Sequence, residues 1–166
     1  LAADGIHREA IPVPPEEIES RFVLAYTGAP RQSGINNWEV FQAHINGDAR
    51  VLRNFDEIGE IARSMHQALA RGAWREVAGL LRAEWKLRKT NAPGISTPLI
   101  DRLIKTAGEA GGSAAKVCGA GGGGCVVFFV PPEKRERVSE AVRRSGGRIL
   151  PFRVARDGVT VVGGRG

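Results

Sequence analysis

The sequence predicts an α+β domain with a mostly antiparallel sheet. Three observations lead there: strand-like runs stand near the start, past the middle and at the end; long helical patterns fill the interval between the first two; and no internal repeat or long linker divides the chain. At 166 residues the chain fits one domain, 1–166, in which folding removes roughly two-thirds of the unfolded surface from water.

Pro12, Pro14 and Pro15 break the opening. Phe22-Val23-Leu24-Ala25-Tyr26 is then an apolar run with enough β-branched and aromatic character to predict a strand over 21–27 ending at Thr27-Gly28. From Ser33 a helix is expected, with Ile35, Trp38, Val40, Phe41 and Ile45 at three- and four-residue spacings until Asn46-Gly47-Asp48. Two more follow, over 50–71 and 73–90. Trp38, Trp74 and Trp85 recur with the apolar stripes and are expected in the core.

Thr97-Pro98 opens the next helix: a hydroxyl suits the N-cap, proline suits the first helical position, and Asp101 lies in the positive first turn. Gly111-Gly112 closes it. Ala114 to Cys118 and Cys125 to Val130 read as two strands around the glycines, and a charged amphipathic helix spans 133–145. A final hairpin is expected from Ile149 to Ala155 and Val159 to Val162, joined by Arg156-Asp157-Gly158. The whole reads as one sheet with helices on one side.

The formal charge is +6, with 24 Lys+Arg against 18 Asp+Glu, and 42% of residues are hydrophobic, a composition that excludes disorder. Cys125 to Val130 is the longest apolar run, far below the roughly 18 residues of a spanning helix, and no basic-then-apolar leader stands at the N-terminus. These features predict a cytoplasmic protein without membrane contact. Cys118 and Cys125 match no zinc spacing, and His7, His44 and His66 share no metal pattern, so no metal site is expected. The chain opens at Leu1 and its one methionine is Met65, which suggests a segment of something longer.

Glycine is high at 22 residues, and Gly121 to Gly124 are consecutive. A dinucleotide fingerprint would have to open a helix, whereas this loop opens a strand; a Walker loop would need Lys and Ser or Thr where Cys125 and Val126 stand. What remains is a strand, glycine loop, strand unit. Its bare backbone can turn N–H groups toward an anion or let another backbone pack close, or it can be a plain flexible hairpin tip. Lys116 stands just before it.

Lys116-Val117-Cys118-Gly119-Ala120-Gly121-Gly122-Gly123-Gly124 resembles the third signature motif of the GHMP small-molecule kinases. Tyr26-Thr27-Gly28 with Arg31, Ser33 and Gly34 to Val40, then Glu84-Trp85 through Arg88-Lys89, then Pro93 to Pro98 with Asp101, are similar to the sugar-kinase branch that includes heptose 7-phosphate kinases. In order, these cover most of the chain from about 22 to 130.

The resemblance implies a ferredoxin-like antiparallel sheet covered by helices, the C-terminal domain of such a kinase. It also implies ATP and Mg²⁺ in the complete enzyme and a sugar or sugar-phosphate acceptor, with heptose 7-phosphate phosphorylated at its anomeric hydroxyl. No Pro-x-x-x-Gly-x-Gly-Ser-Ser-like phosphate loop occurs here, so the catalytic residues and the nucleotide cradle are expected in an N-terminal half outside this chain. The segment alone is then expected to be inactive and to self-associate through an exposed apolar face beside the cleft.

By the same resemblance Lys116, Gly119, Ala120, Gly121, Gly122 and Gly123 form the phosphate or substrate loop, and Gly121→Val should cut turnover with the fold left stable. Arg31, Ser33, Asn36 and Asn37, at a strand-to-helix junction, are candidates for a phosphate or sugar hydroxyls, although Ser33 can equally be a plain helix cap. Glu84 and Arg88, one helical turn apart, read as a surface pair. A rival reading is a basic RNA-binding plait or a small-molecule-sensing domain without catalysis. Against RNA, Phe128-Phe129 sit in an unbroken apolar run that reads as buried, and no Gly-x-x-Gly joins two helices.

Overall fold

A computed structural model describes residues 9–30, 33–155 and 157–159. In chain order its elements are α1 (Pro15–Arg21), β1 (Phe22–Tyr26), α2 (Ser33–Ile45), α3 (Ala49–Ala70), α4 (Trp74–Arg88), α5 (Pro98–Glu109), β2 (Ala114–Val117), β3 (Cys125–Phe129), a 3-10 turn (Pro132–Lys134), α6 (Arg135–Arg144) and β4 (Arg148–Leu150). The strands form a 4-stranded sheet in the order β2-β3-β1-β4, and every neighbouring pair is antiparallel. Each helical connection thus skips one strand, which is the ferredoxin-like arrangement the resemblance implied.

Alternation along the strands divides the apolar residues between two faces. One face presents Val23, Ala25, Val126, Phe128, Ala115 and Val117 to Ile100, Leu103 and Ala107 of α5, Val138 and Val142 of α6 and Trp85 of α4. Phe128 and Leu103 are fully buried there. The opposite face is covered as well, where α3 and α4 fold around the β2 edge. Ala114, Phe129 and Phe22 pack there with Ala68, Val77, Ala78 and Trp74. The Phe22 and Phe129 rings meet edge-on at 5.1 Å, and Trp74 stacks on Phe129 at 6.2 Å. The expectation of helices on one side only is therefore corrected: α4 is long enough to reach both faces, with Trp85 on one and Trp74 on the other.

Three further expectations change. The prolines of the opening do not keep it irregular, because Pro15 occupies the start of α1, where its missing N–H costs nothing, and Glu16 and Glu17 favour the positive first turn. The first arm of the final hairpin shortens to β4, which pairs with β1, Leu24 opposite Leu150. Pro151 follows and cannot donate to a ladder, so the strand stops. Arg156 of the turn and 160–162 of the second arm lie outside the described residues. Trp38 is not in the core; it is 64% exposed, and Phe41 and Ile45 are exposed beside it. The helical period of α2 holds, but its inward positions are Asn36 and Val40, one turn apart, and the aromatic stripe faces outward.

The start of α5 behaves as the sequence indicated. The Thr97 side chain accepts the Ile100 N–H at 3.3 Å. Asp48 caps α3, accepting from Arg50 N at 2.9 Å and Val51 N at 3.1 Å, and the Val51 bond foremost holds its carboxyl below the usual range. Among the described residues no helix is long and apolar enough to cross a membrane. Phe128→Ala should destabilise the domain by about 3–5 kcal/mol, the cost of emptying a filled core position, read as a lower denaturant midpoint at unchanged slope.

Candidate functional site

The connection from β2 to β3 is the glycine loop, and its backbone is held on three sides. Its base is closed by the Cys118 N–H donating to Cys125 O at 2.8 Å. Farther in, Gly122 N donates to Ile95 O at 3.0 Å and Gly124 N to Ala29 O at 2.8 Å. The Gly124 carbonyl accepts from both the backbone N–H and the hydroxyl of buried Thr27, each at 2.9 Å.

Glycine is required here for two reasons at once. Gly121 has φ +83, and a Cβ on it would lie 2.8 Å from Ile95 Cα and nearer still to the Ile95 carbonyl oxygen. Gly123, at φ +153, would place a Cβ 3.0 Å from Ala29 O, with Pro30 O closer. Left-handed backbone and contact with other main chain leave no room for a side chain. These bonds rule out a free hairpin tip.

Asn36 ties α2 into the same knot. It is 2% exposed, and its amide nitrogen donates to Gly94 O at 3.1 Å and to Ala120 O at 3.2 Å. One side chain thus joins α2, the turn before α5 and the glycine loop. A second buried amide, Asn54 of α3, donates to Thr90 Oγ1 at 2.9 Å and Asn91 Oδ1 at 2.6 Å, fixing that turn from the other end.

The outer side of the loop faces a cleft of about 490 Å³ bordered by Asn37, Arg88, Lys116, Cys118, Gly119 and Ala120. It adjoins a smaller hollow of about 180 Å³, where Phe41 and Phe55 meet Asn37, Arg88 and Ala120. Charge in the cleft is organised by Glu84 of α4, which is 7% exposed. Its Oε2 lies 2.8 Å from Lys116 Nζ, and its Oε1 accepts from Arg88 Nε. Two cations on one carboxylate leave the wall with a surplus positive charge. The Glu84–Arg88 surface pair of the sequence reading is corrected accordingly: Glu84 is buried because β2 packs on α4 and brings Lys116 to it.

Of the predicted site residues, the cleft gathers Asn37, Lys116, Gly119 and Ala120. Asn36 is buried behind them as a strut, and Gly121 and Gly123 are packed against other backbone, with Gly122 bonded to Ile95. Arg31 lies outside the described residues; Ser33 opens α2, with its side chain outside the description. Arg88 was missed as a cleft residue, since one turn from Glu84 it looks like any exposed pair; the signal was Lys116 in the neighbouring strand, visible only after the strands are placed. An apolar cavity of about 360 Å³ beside Trp85, rimmed by Arg82, Lys86 and Lys89, holds none of the predicted residues.

Cys118 has its thiol pKa pushed up, first by burial and then by Cys125, against the opposing pull of Lys116. Alkylation of Cys118 should thus be slow at neutral pH and speed up in mild alkali, as timed thiol labelling would show. Among the described residues no group of three or more His, Cys, Asp or Glu side chains could hold a metal ion.

A ferredoxin-like sheet with a backbone-pinned glycine loop beside a cationic cleft is the arrangement that the resemblance implied. The family described as GHMP kinases C terminal matches residues 49–148, and the chain belongs to it. It is 30% identical over 143 residues to the D-glycero-alpha-D-manno-heptose 7-phosphate kinase of Campylobacter jejuni, covering 86% of this chain and 42% of that protein. To the mevalonate kinase of Thermococcus sibiricus it is 28% identical, covering 92% of this chain and 45% of that protein. The crystal structure of Methanococcus jannaschii mevalonate kinase matches with a TM-score of 0.64 and 25% identity, over 87% of this chain and 42% of that one. The chain thus spans less than half the length of these relatives.

The expectation that Gly121→Val leaves the fold stable is overturned by the contact with Ile95. Gly28 and Gly121 both have positive φ, but a Cβ on Gly28 meets nothing within 4 Å. Gly28→Ala should therefore lose about 1–2 kcal/mol from backbone strain alone, and Gly121→Ala clearly more, in paired urea titrations.

Proposed function

We propose that this chain is the C-terminal domain of an ATP-dependent kinase acting on a sugar or sugar phosphate, with heptose 7-phosphate phosphorylated at its anomeric hydroxyl as the leading acceptor. The observation that carries the reading is the cleft itself: Arg88, Lys116 and Asn37 face the open side of a glycine loop whose other side is locked. The choice of acceptor rests on the 30% identity to the Campylobacter heptose 7-phosphate kinase. Full burial of Phe128 and near-full burial of Phe129 leave neither ring free to stack on a base, which favours a small anionic ligand over RNA.

In this reading the residues of the chain hold the acceptor rather than break bonds. Arg88 presents a planar fork of donors suited to a phosphate, and Lys116 adds a point charge, while Glu84 keeps both side chains extended toward the cleft. Gly122 and Gly124 donate their N–H groups inside the fold, so anion binding by the loop falls to its outer residues, Gly119 and Ala120. Binding energy spent on a remote phosphate positions the reacting hydroxyl, and positioning supplies much of the catalysis of phosphoryl transfer. ATP, with Mg²⁺, would supply the transferred phosphoryl group and its charge neutralisation.

The remaining parts of the machinery are assigned to an N-terminal half, in keeping with the share of the relatives this chain spans. The exposed stripe of Trp38, Phe41 and Ile45, of which Phe41 borders the hollow beside the cleft, is the surface offered to that half. In its absence, the same stripe is offered to a second copy of the chain. A second acceptor, mevalonate, is kept in view by the 28% identity to the Thermococcus enzyme.

The test is phosphoryl transfer by the complete protein across heptose 7-phosphate, unphosphorylated sugars and mevalonate. The expected outcome is preference for the phosphorylated sugar, a rise in KM of about tenfold or more with Arg88→Ala for that acceptor only, and no transfer by the 166-residue chain alone. Activity on mevalonate alone would remove the sugar reading.

A further inference from the structure

We propose that Cys118 and Cys125 are a thiol redox pair, closing reversibly to a disulfide that clamps the glycine loop at the edge of the cleft. The covalent part stands on this chain's geometry; its effect on catalysis rests on the kinase reading above.

The two cysteines flank the loop and stand opposite each other. Val117 pairs with Val126 in the β2–β3 register, so the next step outward pairs Cys118 with Cys125, and the Cys118 N–H donates to Cys125 O at 2.8 Å. Directly opposed residues project to the same face of a sheet. Here that is the face of Lys116 and Val127, which with Cys118 border the cleft. Both thiols are free and partly exposed. A thiolate at one would repel a thiolate at the other, and after burial this is the second cause of the raised pKa of Cys118.

Opposed antiparallel residues have Cα atoms about 5.5 Å apart at a hydrogen-bonded site, inside the roughly 4.4–6.8 Å range of disulfides. Their Cβ atoms, typically about 4.5–5.5 Å apart, must close to about 3.5–4.5 Å. That movement cannot be absorbed farther along the loop, because Gly121 and Gly123 already touch the backbone of Ile95 and Pro30. It must appear at Gly119 and Ala120, the residues that line the cleft.

The oxidant is hydrogen peroxide. A thiolate sulfur attacks one peroxide oxygen, the O–O bond breaks, and hydroxide leaves to take up the thiol proton as water; the sulfur is now a sulfenic acid. The second cysteine, as thiolate, attacks that sulfur, the S–O bond breaks, and the departing hydroxide takes up the second proton. Two thiols and one peroxide give one disulfide and two waters, and a dithiol reverses the change by exchange. With its ionisation opposed, Cys118 slows closure at neutral pH and hastens it in mild alkali.

The 166-residue chain is treated with peroxide, alkylated and cleaved with trypsin, which places both cysteines in the fragment from Val117 to Lys134. The expected result is a monomeric fragment lighter by two hydrogens and unalkylated, regaining two alkylation sites after dithiothreitol, with the shift lost in both Cys118→Ser and Cys125→Ser. Two alkylated or separately over-oxidised cysteines, or a disulfide between two chains, would overturn the pair. In the complete protein, oxidation should lower phosphoryl transfer and dithiothreitol should restore it, a response absent from Cys125→Ser. Unchanged activity with the disulfide formed would overturn the clamp. Absence of transfer in both redox states, with the mass shift intact, would count against the kinase reading and leave the pair standing.

Discussion

The site depends on one close approach, the backbone of Gly121 and Gly122 against the backbone of Ile95. It joins the β2–β3 connection to the turn before α5, elements that no sheet ladder brings together. Around it the Asn36 amide bonds to Gly94 O and Ala120 O, and Thr27 bonds to Gly124 O. A buried amide with both its hydrogens bonded is costly to lose, because the partners are left without water or protein to replace it. The result is a loop stiff on its inner side, with Gly119 and Ala120 alone turned to the cleft.

Electrostatics follows from the same packing. Because β2 lies along α4, Lys116 and Arg88 share the Glu84 carboxylate, which extends two flexible side chains toward one space. Removing one partner of a wholly buried pair costs roughly 3–5 kcal/mol, and removing Lys116 or Arg88 should cost less, since both reach solvent. The chemical consequence of the shared carboxylate is larger: a cleft with surplus positive charge beside bare backbone is suited to a phosphorylated small molecule.

Much of this was legible in the sequence, and the misses have physical causes. Thr97-Pro98 with Asp101, the alternation of Phe22 to Tyr26 and the apolar run at Cys125 are local signals, and the structure keeps each. Glycine between two buried strands indicated a site rather than a linker. What could not be read was tertiary. Trp38, Phe41 and Ile45 have the right period for a core helix, yet Asn36 and Val40 turned out to be the inward positions, because a polar strut was needed where α2 meets the loop. Glu84 looked like a surface partner of Arg88 until β2 was laid on it. α1 was hidden by prolines that are in fact suited to its first turn, and the last strand was overextended because Pro151 outweighed the β-branched residues around it.

The account stands most directly on the inner half of the glycine loop being part of the folded core. Residue-resolved amide hydrogen exchange in the native chain measures this. The amides of Gly122 and Gly124 should exchange in the same slow, cooperative unit as those of β3. Exchange of both at the rate of an unstructured peptide, with β3 still protected, would contradict it.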